Sequence, residues 1–195
     1  MLLLKKIRRS GFTLIELLVV IAIIGVLASI VLASLNNARR KSRDARRITD
    51  IKQIQLALEL FFDGELSVYP TATVTCGATD LYGLQTLATE GYIPQVPRDP
   101  LSTGSNRCYM YAAPATSPTS YHLGALLEDT SIAALTNDRD CNSATAGSCG
   151  PGAAFSNPFS GLTGGATATR CGEGLPLTGQ PAGGATGEQC YDVTP

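Results

Sequence analysis

Lys5-Lys6-Ile7-Arg8-Arg9-Ser10-Gly11-Phe12-Thr13-Leu14-Ile15-Glu16-Leu17-Leu18-Val19-Val20-Ile21-Ala22-Ile23-Ile24-Gly25-Val26-Leu27-Ala28 is the stretch from which the fold can be read. Four basic residues lead into a glycine, an aromatic residue and a single carboxylate. No charge then occurs from Leu17 to Leu35. As a helix that run is roughly 28 Å long, close to the roughly 30 Å hydrocarbon core of a bilayer. An ordinary secretory signal, cut near Ala33 or Ala38, is the plain alternative. The run is longer than the apolar core of such a signal, about 7–15 residues. Glu16 also stands near its start, where an unpaired carboxylate in lipid costs about 2.5 kcal/mol or more.

Working outward toward the C-terminus, no Pro or Gly occurs between Gly25 and Gly64. Ile48, Ile51, Ile54, Leu58, Phe61 and Phe62 recur at spacings of three and four, which predicts one apolar stripe on an amphipathic helix. Arg47, Asp50 and Gln53 are assigned to the opposite, solvated face. Gly64 suits a helix stop. From Phe12 to Asp63 an unbroken helix would measure roughly 78 Å.

Charge divides the chain of 195 residues sharply, although its formal net charge is only −1. A basic head (Lys5, Lys6, Arg8, Arg9) precedes the apolar run. A basic collar (Arg39, Arg40, Lys41, Arg43, Arg46, Arg47, Lys52) follows it, and after Lys52 four basic residues face thirteen acids. The collar reads as a solvated face for anionic headgroups. Nucleic-acid binding is not expected, because no aromatic residue is interleaved for base stacking. Basic residues stand on both flanks of the apolar run, so the positive-inside rule does not decide its orientation. All six cysteines (Cys76, Cys108, Cys141, Cys149, Cys171, Cys190) lie beyond the collar, which points to disulfides in an oxidising compartment. Nearness in sequence offers Cys76–Cys108, Cys141–Cys149 and Cys171–Cys190, one of 15 pairings that six cysteines allow.

The C-terminal part reads as a small mixed head. Leu81, Leu84, Leu87 and Ala88 predict a short helix ending at Gly91. A proline-punctuated loop runs from Gly91 to Pro100. Cys108–Tyr111 and Tyr121–Leu127 predict two strands around a Pro/Ser/Thr loop. After Asp129 the chain is rich in Gly, Ala, Thr, Ser and Pro and is expected to be irregular and held by disulfides. His122 reads as a packing or surface residue. With one His and no nucleophile–base pair, no catalytic residue is assigned and an anchored secreted enzyme finds no support.

The quoted segment resembles the class III signal of type IV pilins and type II secretion pseudopilins. The resemblance implies cleavage between Gly11 and Phe12 by a membrane prepilin peptidase, which also N-methylates Phe12. It implies that Glu16 pairs with the Phe12 amine of a neighbouring subunit during assembly. Tyr69-Pro70 and the Gly91–Pro100 loop are similar to the head of major pseudopilins, and Cys171 and Cys190 resemble the bounds of the pilin disulfide loop. Many family members carry a Pro where this chain has Ala33. The implied fold is α+β and pilin-like: a long N-terminal helix packed on a small antiparallel sheet, with a disulfide-rich irregular C-terminal region. Its divisions are a leader (1–11), a membrane and assembly helix (12–35), the amphipathic half of that helix (36–63), a head with a β-hairpin (64–129) and the Cys-containing region (130–195).

The resemblance also implies partners: further copies of the chain in a helical polymer, the peptidase, membrane lipids, and an inner-membrane assembly platform with its cytoplasmic ATPase. The precursor is placed in the inner membrane with its C-terminal part outside, and the product in a periplasmic or extracellular filament. The implied function is a pilin of a type IV pilus-like surface filament, with a major pseudopilin of a type II secretion machine as the alternative. Calcium is the one ligand implied. Glu128, Asp129, Asn137, Asp138, Asp140 and Asn142 offer the oxygens a hard cation requires. They lack the Gly and distal Glu of an EF-hand.

Cleavage after Gly11 is the first testable outcome. The intact mass of the membrane-extracted protein should equal Phe12–Pro195 plus one methyl group. A mature N-terminus near Ala33 or Ala38 would instead make the segment an ordinary signal peptide.

Overall fold

The computed structural model describes residues 13–65, 67–73, 76, 81–101, 108–116, 118–129, 131–136, 138–139, 141, 149, 155–156 and 190–195. A single helix, α1 (Leu14–Gly64), is followed by a 3-10 turn at Leu81–Gly83 and a short helix α2 (Gln85–Thr89). The strands are β1 (Met110–Pro114), β2 (His122–Leu126), β3 (Phe155–Ser156) and β4 (Cys190–Val193), with a second 3-10 turn at Ala133–Thr136. The chain divides into two compact units, residues 1–39 and 40–195.

In the second unit, the 40–64 part of α1 lays its stripe on an antiparallel sheet of order β3-β1-β2-β4. Ile51, Ile54, Leu58 and Phe61 are buried, and Ile48 and Phe62 pack at the margin, as the three-four spacing requires. Three phenols bond to acceptors on or beside the helix. Tyr109 donates to Asp50 at 2.6 Å, Tyr121 to Glu59 at 3.0 Å, and Tyr69 to the other oxygen of Glu59 at 3.1 Å. Tyr69 also packs edge-on against Tyr121 with ring centroids 4.7 Å apart. A phenol takes part in such a core because its hydroxyl finds a buried acceptor while its ring fills apolar volume.

The hairpin of β1 and β2 has the register Met110↔Gly124, Tyr111↔Leu123 and Ala112↔His122. Side chains alternate along a strand. Tyr109 and Tyr121, which reach α1, therefore share the helix-facing side, and His122 and Gly124 occupy the other. Every residue of β1 is buried, so both faces are covered.

The second cover comes from the C-terminal region. Its described residues supply two of the four strands. β4 pairs with β2 through Leu123↔Val193, Gly124↔Asp192, Ala125↔Tyr191 and Leu126↔Cys190. β3 pairs with the end of β1. Leu135, Cys141, Cys149, Phe155 and Tyr191 join the core. The expected irregular tail is thus corrected where Phe155–Ser156 and Cys190–Val193 close the sheet. Two strands of two and four residues carry too little periodicity to be seen by alternation.

Two of the three pairs that nearness proposed are present among the described residues. Cys76–Cys108 and Cys141–Cys149 are disulfides. Cys190 is also disulfide-bonded, and Cys171 lies outside the described residues. Gly83 has φ +94°, and a Cβ there would collide with the Thr71 carbonyl oxygen. Glycine is therefore required at this turn.

Candidate functional site

Two sites on α1 carry the functional reading, one in each unit. The first is its N-terminal end. Glu16 reaches back to Thr13: one carboxylate oxygen accepts the Thr13 backbone N–H at 2.8 Å and its hydroxyl at 2.7 Å. The Glu16 N–H approaches the Thr13 hydroxyl at 3.3 Å. This is a capping box. It satisfies N–H groups that the first helical turn leaves without partners and places a carboxylate at the positive end of the helix dipole. In the single chain Glu16 is thus held by its own helix start. Gly11 and Phe12, the expected cleavage and methylation positions, lie outside the described residues.

From Leu14 to Leu35 the helix is apolar on all sides, and its large side chains are exposed. Ile15 is 73% and Leu32 61% exposed. A helix that is hydrophobic all round needs lipid or protein cover on every face. This one is long and apolar enough to cross a membrane.

The second site is the collar. Arg47 is 1% exposed and lies at the centre of a carboxylate cluster. Its guanidinium donates to Asp44 at 2.6 Å, to Glu128 at 2.9 Å, and through two nitrogens to Asp99 at 2.6 and 3.1 Å. Arg43 forms a two-pronged pair with Glu128 at 2.7 and 2.6 Å. Asp44 in turn accepts the backbone N–H groups of Glu128 and Asp129 just beyond β2. One arginine thus ties α1 to the proline-punctuated loop and to the end of a sheet strand.

The electrostatics follow the geometry. Burial works against the Arg47 charge, but Asp99, Glu128 and Asp44 outweigh it and hold its pKa above the ordinary range. Glu128 is drawn down from the usual 4.5 to about 2. Arg43's hydrogen bonds are the main cause and Arg47 adds to them, against a partial burial that pushes it up.

These contacts correct two expectations. Arg47 and Asp50 do not occupy the solvated face of α1, since both are buried; of the three residues assigned there, Gln53 is exposed. Nor is the collar uniformly solvated. Arg43 and Arg47 are spent on Glu128, Asp44 and Asp99, while Arg39, Arg40, Lys41 and Arg46 remain exposed.

Of the calcium set, Glu128, Asp129 and Asp138 are among the described residues. Both oxygens of Glu128 are held by arginine. An Asp129 oxygen accepts from Ser131 N–H and hydroxyl at 2.9 and 2.6 Å. Asp138 accepts the Asp192 N–H at 3.2 Å. Asn137, Asp140 and Asn142 lie outside the described residues.

Sequence reading missed the roles of Asp44 and Asp99 altogether. Asp44 and Arg47 lie seven and four residues before Ile51, so both are in phase with the buried stripe. That phase was the available signal. Asp99 gave none, because its partner is 52 residues away.

The family profile "Prokaryotic N-terminal methylation motif" matches residues 6–32. Type II secretion system core protein G of Vibrio cholerae is 34% identical over 128 residues, covering 59% of this chain and 79% of that protein. The protein of the same name from Aeromonas hydrophila is 36% identical over 103 residues, covering 49% and 70%. Type IV major pilin protein PilA of Myxococcus xanthus is 40% identical over 55 residues, 28% of this chain and 25% of that one. No solved structure matches.

The collar yields a pH-dependent outcome. A carboxylate whose folded pKa lies below its unfolded value stabilises the fold above the unfolded pKa and loses that contribution as pH falls through the folded one. Replacing Glu128→Gln should cost about 1–3 kcal/mol of unfolding free energy at neutral pH. The gap between variant and wild type should close between the usual 4.5 and about 2. Urea unfolding of the detergent-solubilised chain at several pH values reads this directly. A gap that does not change with pH would show that packing, not charge, sets it.

Proposed function

Because this chain belongs to the family of type II secretion system core protein G, we propose that it is the repeating subunit of a pseudopilus-type filament. The role is structural rather than catalytic. The chain is held in the inner membrane by α1, is processed by the prepilin peptidase at the methylation motif, and polymerises through that helix. The observation that carries this reading is the apolar surface from Leu14 to Leu35, exposed on all sides, on a helix whose later residues are buried in a folded head. Lipid covers such a surface before assembly, and equivalent helices of other subunits cover it afterwards.

Glu16 supplies the selectivity. Its carboxylate is one helical turn from the N-terminus that cleavage after Gly11 would create. In the free subunit it caps its own helix through Thr13. In the filament the Phe12 amine of an incoming subunit replaces that local bond with a charged one. A buried carboxylate gains most from a partner that is itself charged and desolvated.

A pilus-type surface filament is the second reading. It is favoured by the PilA similarity and by the Gly- and Thr-rich region after Asp129. The secretion reading stands first because the core protein G similarity covers up to 59% of the chain, against 28% for PilA. Filaments sheared from the cell surface at native expression would reverse that order.

Glu16→Ala tests the assembly role. Processed subunit should accumulate in the membrane at the wild-type level, while filament yield falls at least tenfold. Glu16→Asp should be milder but still impaired, since its carboxylate reaches one methylene less far. Normal filament yield from Glu16→Ala at equal subunit level would show that apolar packing suffices.

A further inference from the structure

On the sheet face opposite α1, four chemically reactive side chains meet in a closed interior. His122 and Asp192 are fully buried, and Cys141 and Cys149 are 1% and 2% exposed. A ring nitrogen of His122 and the two sulfur atoms all lie within 4.8 Å of one another. Nε2 of His122 is 2.7 Å from an Asp192 oxygen, and that oxygen also accepts the Cys141 backbone N–H at 3.1 Å. The register explains the meeting. Gly124 stands opposite Asp192 and brings no side chain, so Asp192 can lean diagonally toward His122 on the same face.

We propose that in its dithiol form this cluster is a zinc site, with Cys141, Cys149 and His122 as ligands. Two thiolates and an imidazole select zinc over the hard cations that oxygen donors hold. A tetrahedral zinc needs donor–donor edges of about 3.5–3.8 Å, so the separations close with modest rotation of the side chains. Asp192 completes the arrangement. A carboxylate bonded to the ring fixes the orientation of the imidazole, the usual support behind a zinc-bound histidine. The fourth position falls to a water molecule.

The disulfide and the metal are alternative closures of the same two sulfurs. The disulfide joins Cys141 to Cys149. Zinc would join the same pair and add His122 of β2, so that the loop is fastened to the sheet while its thiols are still reduced. The site is independent of the filament reading, since it lies in the head and uses none of the residues of the assembly helix.

The test uses the full mature chain in detergent micelles, reduced with a phosphine under anaerobic conditions and titrated with Co²⁺ as a spectroscopic stand-in for zinc. One equivalent should produce a thiolate-to-cobalt charge-transfer band with the intense visible bands of a tetrahedral site, and zinc should displace it. Cys141→Ser and Cys149→Ser should abolish the band. His122→Gln should weaken Co²⁺ binding at least tenfold, and the double change Cys76→Ser with Cys108→Ser should leave it. The oxidised chain should bind none. Because the Cys141 and Cys149 variants can fail to fold, alkylation of the reduced wild-type chain is mapped with and without zinc. Protection confined to Cys141 and Cys149 supports the site. Absence of the cobalt band, its survival in folded Cys141→Ser, or protection of a different cysteine pair would overturn it.

Discussion

A guanidinium that has lost its water must be surrounded by carboxylates, and Arg47 shows what that requirement does to a fold. Its partners come from three places: Asp44 one turn earlier on α1, Asp99 in the proline-punctuated loop, and Glu128 past the end of β2. A cluster of this kind gains little net stability from its charges, because the cost of desolvating them offsets the attraction between them. What it adds is register. An apolar stripe tolerates sliding along or around a helix, whereas a forked guanidinium matches a carboxylate pair in one geometry. Asp44, Arg47, Ile51, Ile54, Leu58 and Phe61 form one continuous inward stripe, polar at its start and apolar at its end. The polar part fixes where the head sits on the helix, and the apolar part supplies most of the burial.

That fixing matters because the same helix meets opposite demands along its length. Residues 40–64 are committed to one head. The large apolar side chains of residues 14–35 are exposed and need lipid or other subunits around them. A subunit that moves from bilayer to filament exchanges the cover of the apolar part while keeping the head contacts intact. Glu16 fits this division. Its capping bonds to Thr13 are local and exposed, so they satisfy the carboxylate in the free subunit and can be given up without disturbing the head.

Much of this was legible in the residues, for reasons that differ by element. The long helix was visible because about forty residues without Pro or Gly and a three-four stripe leave few alternatives. The hairpin was visible through its aromatic and apolar runs, and two disulfides followed from short separations in sequence. Arg47 and Asp50 were misplaced because charge was allowed to decide their side. Phase gave the other answer for Arg47, four residues before Ile51. β3 and β4 were invisible because short strands in a Gly- and Thr-rich segment become strands only by pairing with β1 and β2. The His122–Asp192 pair spans 70 residues, and no local pattern announces a contact of that kind.

The claim that Arg47 sets the register of helix and head is tested most directly by unfolding the detergent-solubilised chain with Arg47→Met. That side chain keeps much of the volume but leaves Asp44, Asp99 and Glu128 without their shared cation. The account predicts a loss of about 3 kcal/mol or more, reduced to well under half when Asp99→Asn and Glu128→Gln are present in the background. A loss below about 0.5 kcal/mol, or one equally large in that background, would contradict it and leave the apolar stripe alone in charge of the register.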